Sequence, residues 1–149
     1  MSQMIHASAV IIGDSGILIR GASGSGKSGL VLALLRAASQ SGLFGRLVGD
    51  DRIATVAVNG RLVLRGHPVL AGRIERRFAG IETMAHEPAC VARLLVEWQA
   101  DDVAARLPEA FGALQMLEGV ALAHMPLPAK LPCDAAADAI LAWLHRQSS

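Results

Sequence analysis

Gly21-Ala22-Ser23-Gly24-Ser25-Gly26-Lys27-Ser28 fits the pattern G-x-x-x-x-G-K-[ST], with the apolar run Ile17-Leu18-Ile19 before it and a helical-looking run, Leu30 to Ala38, after it. A loop of this composition binds phosphate because glycines let the backbone wrap around an anion. Successive N–H groups and the positive end of the next helix then point at the charge. Gly21, Gly24 and Gly26 supply the bends, with Ala22, Ser23 and Ser25 between them. Lys27 would reach the outer phosphates of a nucleotide as a point charge, and the Ser28 hydroxyl would ligate the magnesium ion that accompanies it. A Gly/Ser-rich turn can match the pattern by chance. A strand before and a helix after favour the nucleotide-binding reading.

The chain around this loop has 149 residues, enough for one domain with one real core. Apolar residues make up 52% and charged residues 18%, a globular composition. The formal charge of +1 gives no electrostatic case for nucleic acid as the main partner. No apolar run approaches the roughly 18 residues that span a bilayer, and Met1 to His6 lacks a basic segment followed by an apolar one. We therefore expect no membrane insertion and a cytoplasmic protein. Cys90 and Cys133 lie far apart without a C-x-x-C neighbourhood, so buried or idle thiols are expected.

Upstream of the loop, Ile5 to Ile12 is apolar and β-branched, and Gly13-Asp14-Ser15-Gly16 forms a turn before Ile17-Leu18-Ile19. This predicts a hairpin leading into the P-loop. Downstream, Leu30, Leu34 and Leu35 share one helix face, with Val31 and Ala38 near its edges. Leu47-Val48 reads as a strand running into Gly49-Asp50-Asp51. Ile53 to Val58 alternates, Asn59-Gly60 is a two-residue hairpin turn, and Arg61 to Arg65 alternates back. Further on, Val91 to Trp98 reads as a strand or buried segment and Cys133 to His145 as an amphipathic helix with Ala136, Ile140, Leu141 and Leu144 on one face.

Two carboxylates directly after a strand that follows a P-loop unit are placed for phosphoryl transfer. One can hold magnesium and one can accept a proton from an attacking hydroxyl. A solvated Asp-Asp turn is the alternative, and spacing does not say which of the two takes the proton. Arg73, Glu75, Arg76 and Arg77 crowd together as a charged cluster, which reads as a solvated surface able to face phosphate. His86, His124 and His145 lack metal-ligand spacing, and Asp101-Asp102 reads as a solvated turn.

The order of Ile5-His6-Ala7-Ser8, the P-loop, and Arg46-Leu47-Val48-Gly49-Asp50-Asp51-Arg52-Ile53 resembles the catalytic domain of the bacterial HPr kinase/phosphorylase family. Glu75-Arg76-Arg77-Phe78-Ala79-Gly80-Ile81 is similar to that family's signature E-[VI]-R-G-x-G-I, Arg106-Leu107 to its D/E-R-L segment, and Gly119 through Pro128 to the strand before its last helix. The resemblance implies a single α/β catalytic domain over residues 1–149, a P-loop kinase fold on a mostly β scaffold related to phosphoenolpyruvate carboxykinase. The N-terminal regulatory domain of longer members would be absent.

The resemblance implies an ATP- and magnesium-dependent serine kinase acting on an HPr-type phosphocarrier protein of the phosphotransferase system. Homo-oligomers and dephosphorylation by inorganic phosphate are also family traits. Lys27 and Ser28 would serve the phosphates and magnesium, Glu75 would be a second metal group, and Asp50 or Asp51 the base, with His6 adjacent. Arg106 would stabilise the transferred phosphoryl group. Two departures stand out. Phe78 occupies a glycine position of the signature, and Lys130-Leu131-Pro132-Cys133-Asp134 replaces an R-P-G-R-N-like segment associated with dephosphorylation. Two alternatives remain: a P-loop kinase of small metabolites, disfavoured by the hairpin before the loop, and a nucleotide-binding regulatory module without catalysis.

Overall fold

The apolar segment 5–12 folds as two strands of different sheets. In the computed structural model, which describes residues 3–22, 24–76, 78–99, 113–128 and 130–147, the chain breaks at His6 between β1 (Gln3–Ile5) and β2 (Ala7–Ile12). β1 pairs antiparallel with β5 (Ile53–Val58), whereas β2 pairs antiparallel with both β3 (Ser15–Gly21) and β4 (Gly45–Gly49). The expected hairpin into the P-loop is therefore β2–β3, closed by Gly13-Asp14 with Gly13 at φ 63. Ser15 and Gly16, expected in the turn, already belong to β3.

Helix α1 (Lys27–Gln40) follows the P-loop and ends on Ser41, whose N–H reaches the carbonyls of Ala37 and Ala38. β5 and β6 (Arg61–Gly66) form the second hairpin around Asn59-Gly60, at φ 52 and 78, the left-handed pair that such a turn requires. A short 3-10 turn (Pro68–Leu70) leads into a separate two-stranded ribbon, β7 (Arg73–Arg76) with β8 (Gly80–Thr83). The long β9 (Ala89–Gln99), the edge strand β10 (Ala113–Leu117), β11 (Val120–Pro128) and helix α2 (Cys133–Gln147) complete the described chain. Neither the β7–β8 ribbon nor β10 was expected from periodicity.

β9 is the seam of the scaffold. Ala89 to Val91 pair antiparallel with β6, while the rest of the strand runs parallel to β3 on one side and β11 on the other. One sheet thus reads β1-β5-β6-β9 and the other β4-β2-β3-β9-β11-β10. The domain is a mostly β mixed sheet carrying two helices. Ile17, Ile19, Leu94 and Val96 face a core shared with Leu30, Leu34 and Ile140 of the helices. Leu18 and Leu95 face the opposite way, into a second core with Ile53, Leu62 and Leu64. Central strands buried on both faces explain the unbroken apolar runs at 17–19 and 94–96.

α2 packs mainly on α1. This contact turns Ala136, Ala137, Ile140 and Trp143 inward and leaves Leu141 and Leu144 only partly buried, a small rotation from the expected face. No helix among the described residues is long and apolar enough to cross a membrane.

Both cysteines are free, Cys90 buried and Cys133 partly so. Burial pushes the Cys90 thiol from its ordinary 9.0 up to about 12. The folded thiol therefore stays neutral where the unfolded one ionises, so its contribution to stability is intact below pH 9 and is lost as pH rises toward 12. The expected slope is about 1.4 kcal/mol per pH unit within that window. Urea midpoints between pH 8 and 11 should fall more steeply for the parent than for Cys90→Ala.

Candidate functional site

β3 delivers Gly21 to the edge of the sheet and α1 begins at Lys27, so the loop between them must reverse tightly. Gly24 and Gly26 take φ 80 and 96, in the left-handed region. A Cβ on Gly21 would lie 2.9 Å from both Ser25 Oγ and the Trp98 carbonyl oxygen. Gly26 caps α1 without a side-chain hydrogen bond, and no acidic residue stands in the first turn. The helix start therefore keeps its positive end open toward the cleft. Lys27, only 5% exposed, folds back to donate to the Gly21 carbonyl at 3.0 Å and the Ala22 carbonyl at 3.2 Å. Ser23 lies outside the described residues.

The loop is braced from below by Trp98, a residue that sequence reading assigned only to a strand. Its indole N–H donates to the Ser25 carbonyl at 2.6 Å while the ring is buried. Ser25 Oγ is buried beside it without a hydrogen-bond partner among the described residues. Trp98→Phe keeps an aromatic ring, a smaller one, and removes the donor, a hydrogen bond of about 1 kcal/mol. Titration with magnesium and a nucleotide should then show affinity reduced about fivefold, with the far-UV spectrum of the parent retained.

Asp50 and Asp51 follow β4 and point to different partners, because Asp51 takes a left-handed φ of 65. Ser28 Oγ donates to Asp50 at 2.9 Å (Oδ1) and 2.8 Å (Oδ2). Ser8 Oγ donates to Asp50 Oδ1 at 2.8 Å, and the Glu75 amide to Oδ2 at 3.3 Å. Ser8 Oγ also accepts from the Asp51 amide at 3.2 Å, so one buried hydroxyl holds both residues. Asp51 Oδ1 instead lies 3.6 Å from Lys27 Nζ and 3.9 Å from His6 Nδ1. Half-exposed, it faces solvent and the cleft.

That cleft has a volume of about 730 Å³. Gly24, Lys27, Ser28, Asp50, Asp51 and Glu75 all border it, and Arg36 with Asp134 bridges α1 to α2 at 3.3 Å along its far side. Glu75 arrives on β7, whose Ile74 is buried in the helix-side core. The hydroxyl of Ser28 and the carboxylates of Asp50 and Glu75 are hard oxygen donors of the kind magnesium selects, and the glycine cradle admits phosphate. The residues present fit a magnesium-nucleotide.

The structure thus brings Lys27, Ser28, Asp50, Asp51 and Glu75 to one cleft, and places His6 outside its lining, 3.9 Å from Asp51. Arg106 and the Asp101-Asp102 pair lie outside the described residues. Ser8 was quoted within the resemblance without a role, although a polar residue inside the apolar run 7–12 is a signal in itself. Among the described residues no three His, Cys, Asp or Glu side chains form a metal group by themselves.

A glycine-rich loop of P-loop sequence entered from an antiparallel hairpin, facing a divided carboxylate pair on a mixed β scaffold, gives this domain the fold of an HPr kinase catalytic domain. The fold is similar to the HPr(Ser) kinase/phosphatase from Coxiella burnetii, with a TM-score of 0.76 at 21% identity over 99% of both chains. In sequence the chain is 32% identical over 135 residues to the HPr kinase/phosphorylase of Mycoplasma mycoides subsp. mycoides SC, covering 83% of this chain. In sequence as in fold the chain is similar to HPr kinase/phosphorylases. It spans 41% of the length of that curated relative. No family model matches it.

Proposed function

We propose that the chain is an ATP- and magnesium-dependent kinase that transfers the γ-phosphoryl group to a serine hydroxyl of an HPr-type phosphocarrier protein in the cytoplasm. The observation that carries this reading is the division of the carboxylate pair. Asp50 is engaged by Ser28, and Asp51 is held between Lys27 and His6 at the open mouth of the cleft.

A serine hydroxyl is a weak nucleophile, and phosphoryl transfer needs alignment and cations around the equatorial oxygens more than covalent help. Magnesium bound with the nucleotide supplies charge neutralisation at the phosphates. Ser28, Asp50 and Glu75 would hold it. Lys27, once released from the Gly21 and Ala22 carbonyls, would pair with the outer phosphates. Asp51, next to the Lys27 cation and the His6 imidazole, would take the serine proton. Arg106 is proposed, from the resemblance, to face the transferred group.

The test is transfer of labelled γ-phosphate from ATP and magnesium to a purified HPr-type protein. Phosphoserine on the carrier supports the kinase. Nucleotide binding without any labelled carrier would replace it with a regulatory module. Labelling of small metabolites alone would replace it with a metabolite kinase. Adding inorganic phosphate to the phosphorylated carrier reads the reverse reaction in the same assay.

A further inference from the structure

β3, β9 and β11 run parallel toward the glycine loop, and each carries a polar residue on a face that is otherwise apolar. Leu18, Leu95 and Leu122 lie in the second core. Two residues further along each strand, and so on the same face, stand Arg20, Glu97 and His124. Arg20 is directly opposite Glu97 and donates from Nε to Oε2 at 3.3 Å and from Nη2 to Oε1. His124 Nε2 lies 3.5 Å from that same Oε1, buried and without a hydrogen-bond partner among the described residues.

A third row of apolar side chains would join the strands at lower cost, because taking charges out of water is expensive. The charged row adds a fixed position. Arg20 immediately precedes Gly21, which pairs with Trp98, and a Cβ on Gly21 would meet the Trp98 carbonyl oxygen at 2.9 Å. Glu97 immediately precedes Trp98, whose indole holds the Ser25 carbonyl. The Arg20–Glu97 pair thus locks β3 against β9 one residue before the loop and its brace meet.

We infer that Glu97 is a positioning residue for the phosphate loop, clamped from β3 by Arg20 and from β11 by His124, and that the charge on His124 sets how firmly the clamp holds. This role rests on the nucleotide-binding reading of the loop. A carboxylate oxygen can accept from two donors, so Oε1 can keep Arg20 and still take His124. A neutral imidazole leaves the 3.5 Å contact without ionic attraction, and an imidazolium supplies it. β11 packs on β9 and β10. The other charged residue near this face is Arg93 of β9, exposed at the irregularity in the β3–β9 pairing, and β10 carries none. Lower pH should therefore firm the root of the loop and favour nucleotide binding.

Titration with magnesium-ADP at about pH 6 and about pH 8 tests this. Glu97→Gln keeps the length of the side chain and removes its charge, and affinity should fall about fivefold at both pH values. His124→Gln should match the parent near pH 8 and bind about threefold more weakly near pH 6. Parent and variant are compared at each pH, so protonation of the nucleotide and of His6 cancels. A folded Glu97→Gln with parent affinity overturns the clamp. Parallel pH profiles for the parent and His124→Gln reduce the row to a structural strut and overturn the role of His124, a readout that stands even where Glu97→Gln fails to fold. A parent that binds no nucleotide at either pH overturns the nucleotide reading and the clamp together.

Discussion

Asp51→Asn is expected to slow phosphoryl transfer by about 10²- to 10⁴-fold while leaving nucleotide affinity close to that of the parent. The substitution keeps the size of the side chain and removes its ability to take a proton. It is also well matched to the backbone, because Asp51 sits at φ 65, a conformation in which asparagine is equally at home. Half the side chain is exposed, and the buried Lys27 ammonium, which loses this ion pair, keeps its hydrogen bonds to the Gly21 and Ala22 carbonyls. Asp50→Asn should behave differently. Asp50 accepts from Ser8, Ser28 and the Glu75 amide, and an amide can satisfy only part of that set. Loss there should appear in magnesium dependence and in stability as well as in rate. Single-turnover labelling beside a nucleotide titration separates the two. Near-parent transfer by Asp51→Asn would remove Asp51 as the base.

Much of the scaffold is legible because local chemistry and burial agree. Asn59-Gly60 takes the left-handed turn its residues favour, and the alternation on either side matches the observed β5–β6 pairing from Ile53↔Gly66 to Val58↔Arg61. The run after Lys27 is helical at the expected place, and Val91 to Trp98 lies in a strand that is buried on both faces at Leu94 to Val96 and exposed at Arg93. What escaped depends on relations that periodicity does not carry. Nothing in the run 5–12 shows that the chain leaves one sheet for another at His6. The cluster of Arg73, Glu75, Arg76 and Arg77 reads as a charged surface because the β7–β8 pairing is fixed by a cross-strand Arg76–Glu82 bridge and one buried isoleucine, Ile74.

The site divides along the same line. Residue types and order point to Lys27, Ser28, the aspartate pair and Glu75. The different partners of Asp50 and Asp51 rest on one backbone angle and on a buried hydroxyl, Ser8, that ties them together. Trp98 under the loop belongs to the same class: a strand residue by pattern, and by position the donor that holds the Ser25 carbonyl.

Lys27→Ala is expected to reduce phosphoryl transfer by about 10³-fold or more and, unlike Asp51→Asn, to weaken nucleotide binding as well. The ammonium is the cation that reaches the loop interior, and its present contacts show the space it serves: the Gly21 and Ala22 carbonyls on one side and Asp51 at 3.6 Å on the other. Removing it should cost little folding stability, because the carbonyls it leaves belong to a loop beside the open cleft and Asp51 remains half in water. Its effect and that of Asp51→Asn should not multiply in the double variant. Groups that touch and act on one transferring phosphoryl act as a unit, so the second loss should be smaller in the background of the first. Fully multiplicative losses would mean that Lys27 and Asp51 work independently, and the assignment of Asp51 as a base poised by that cation would fall.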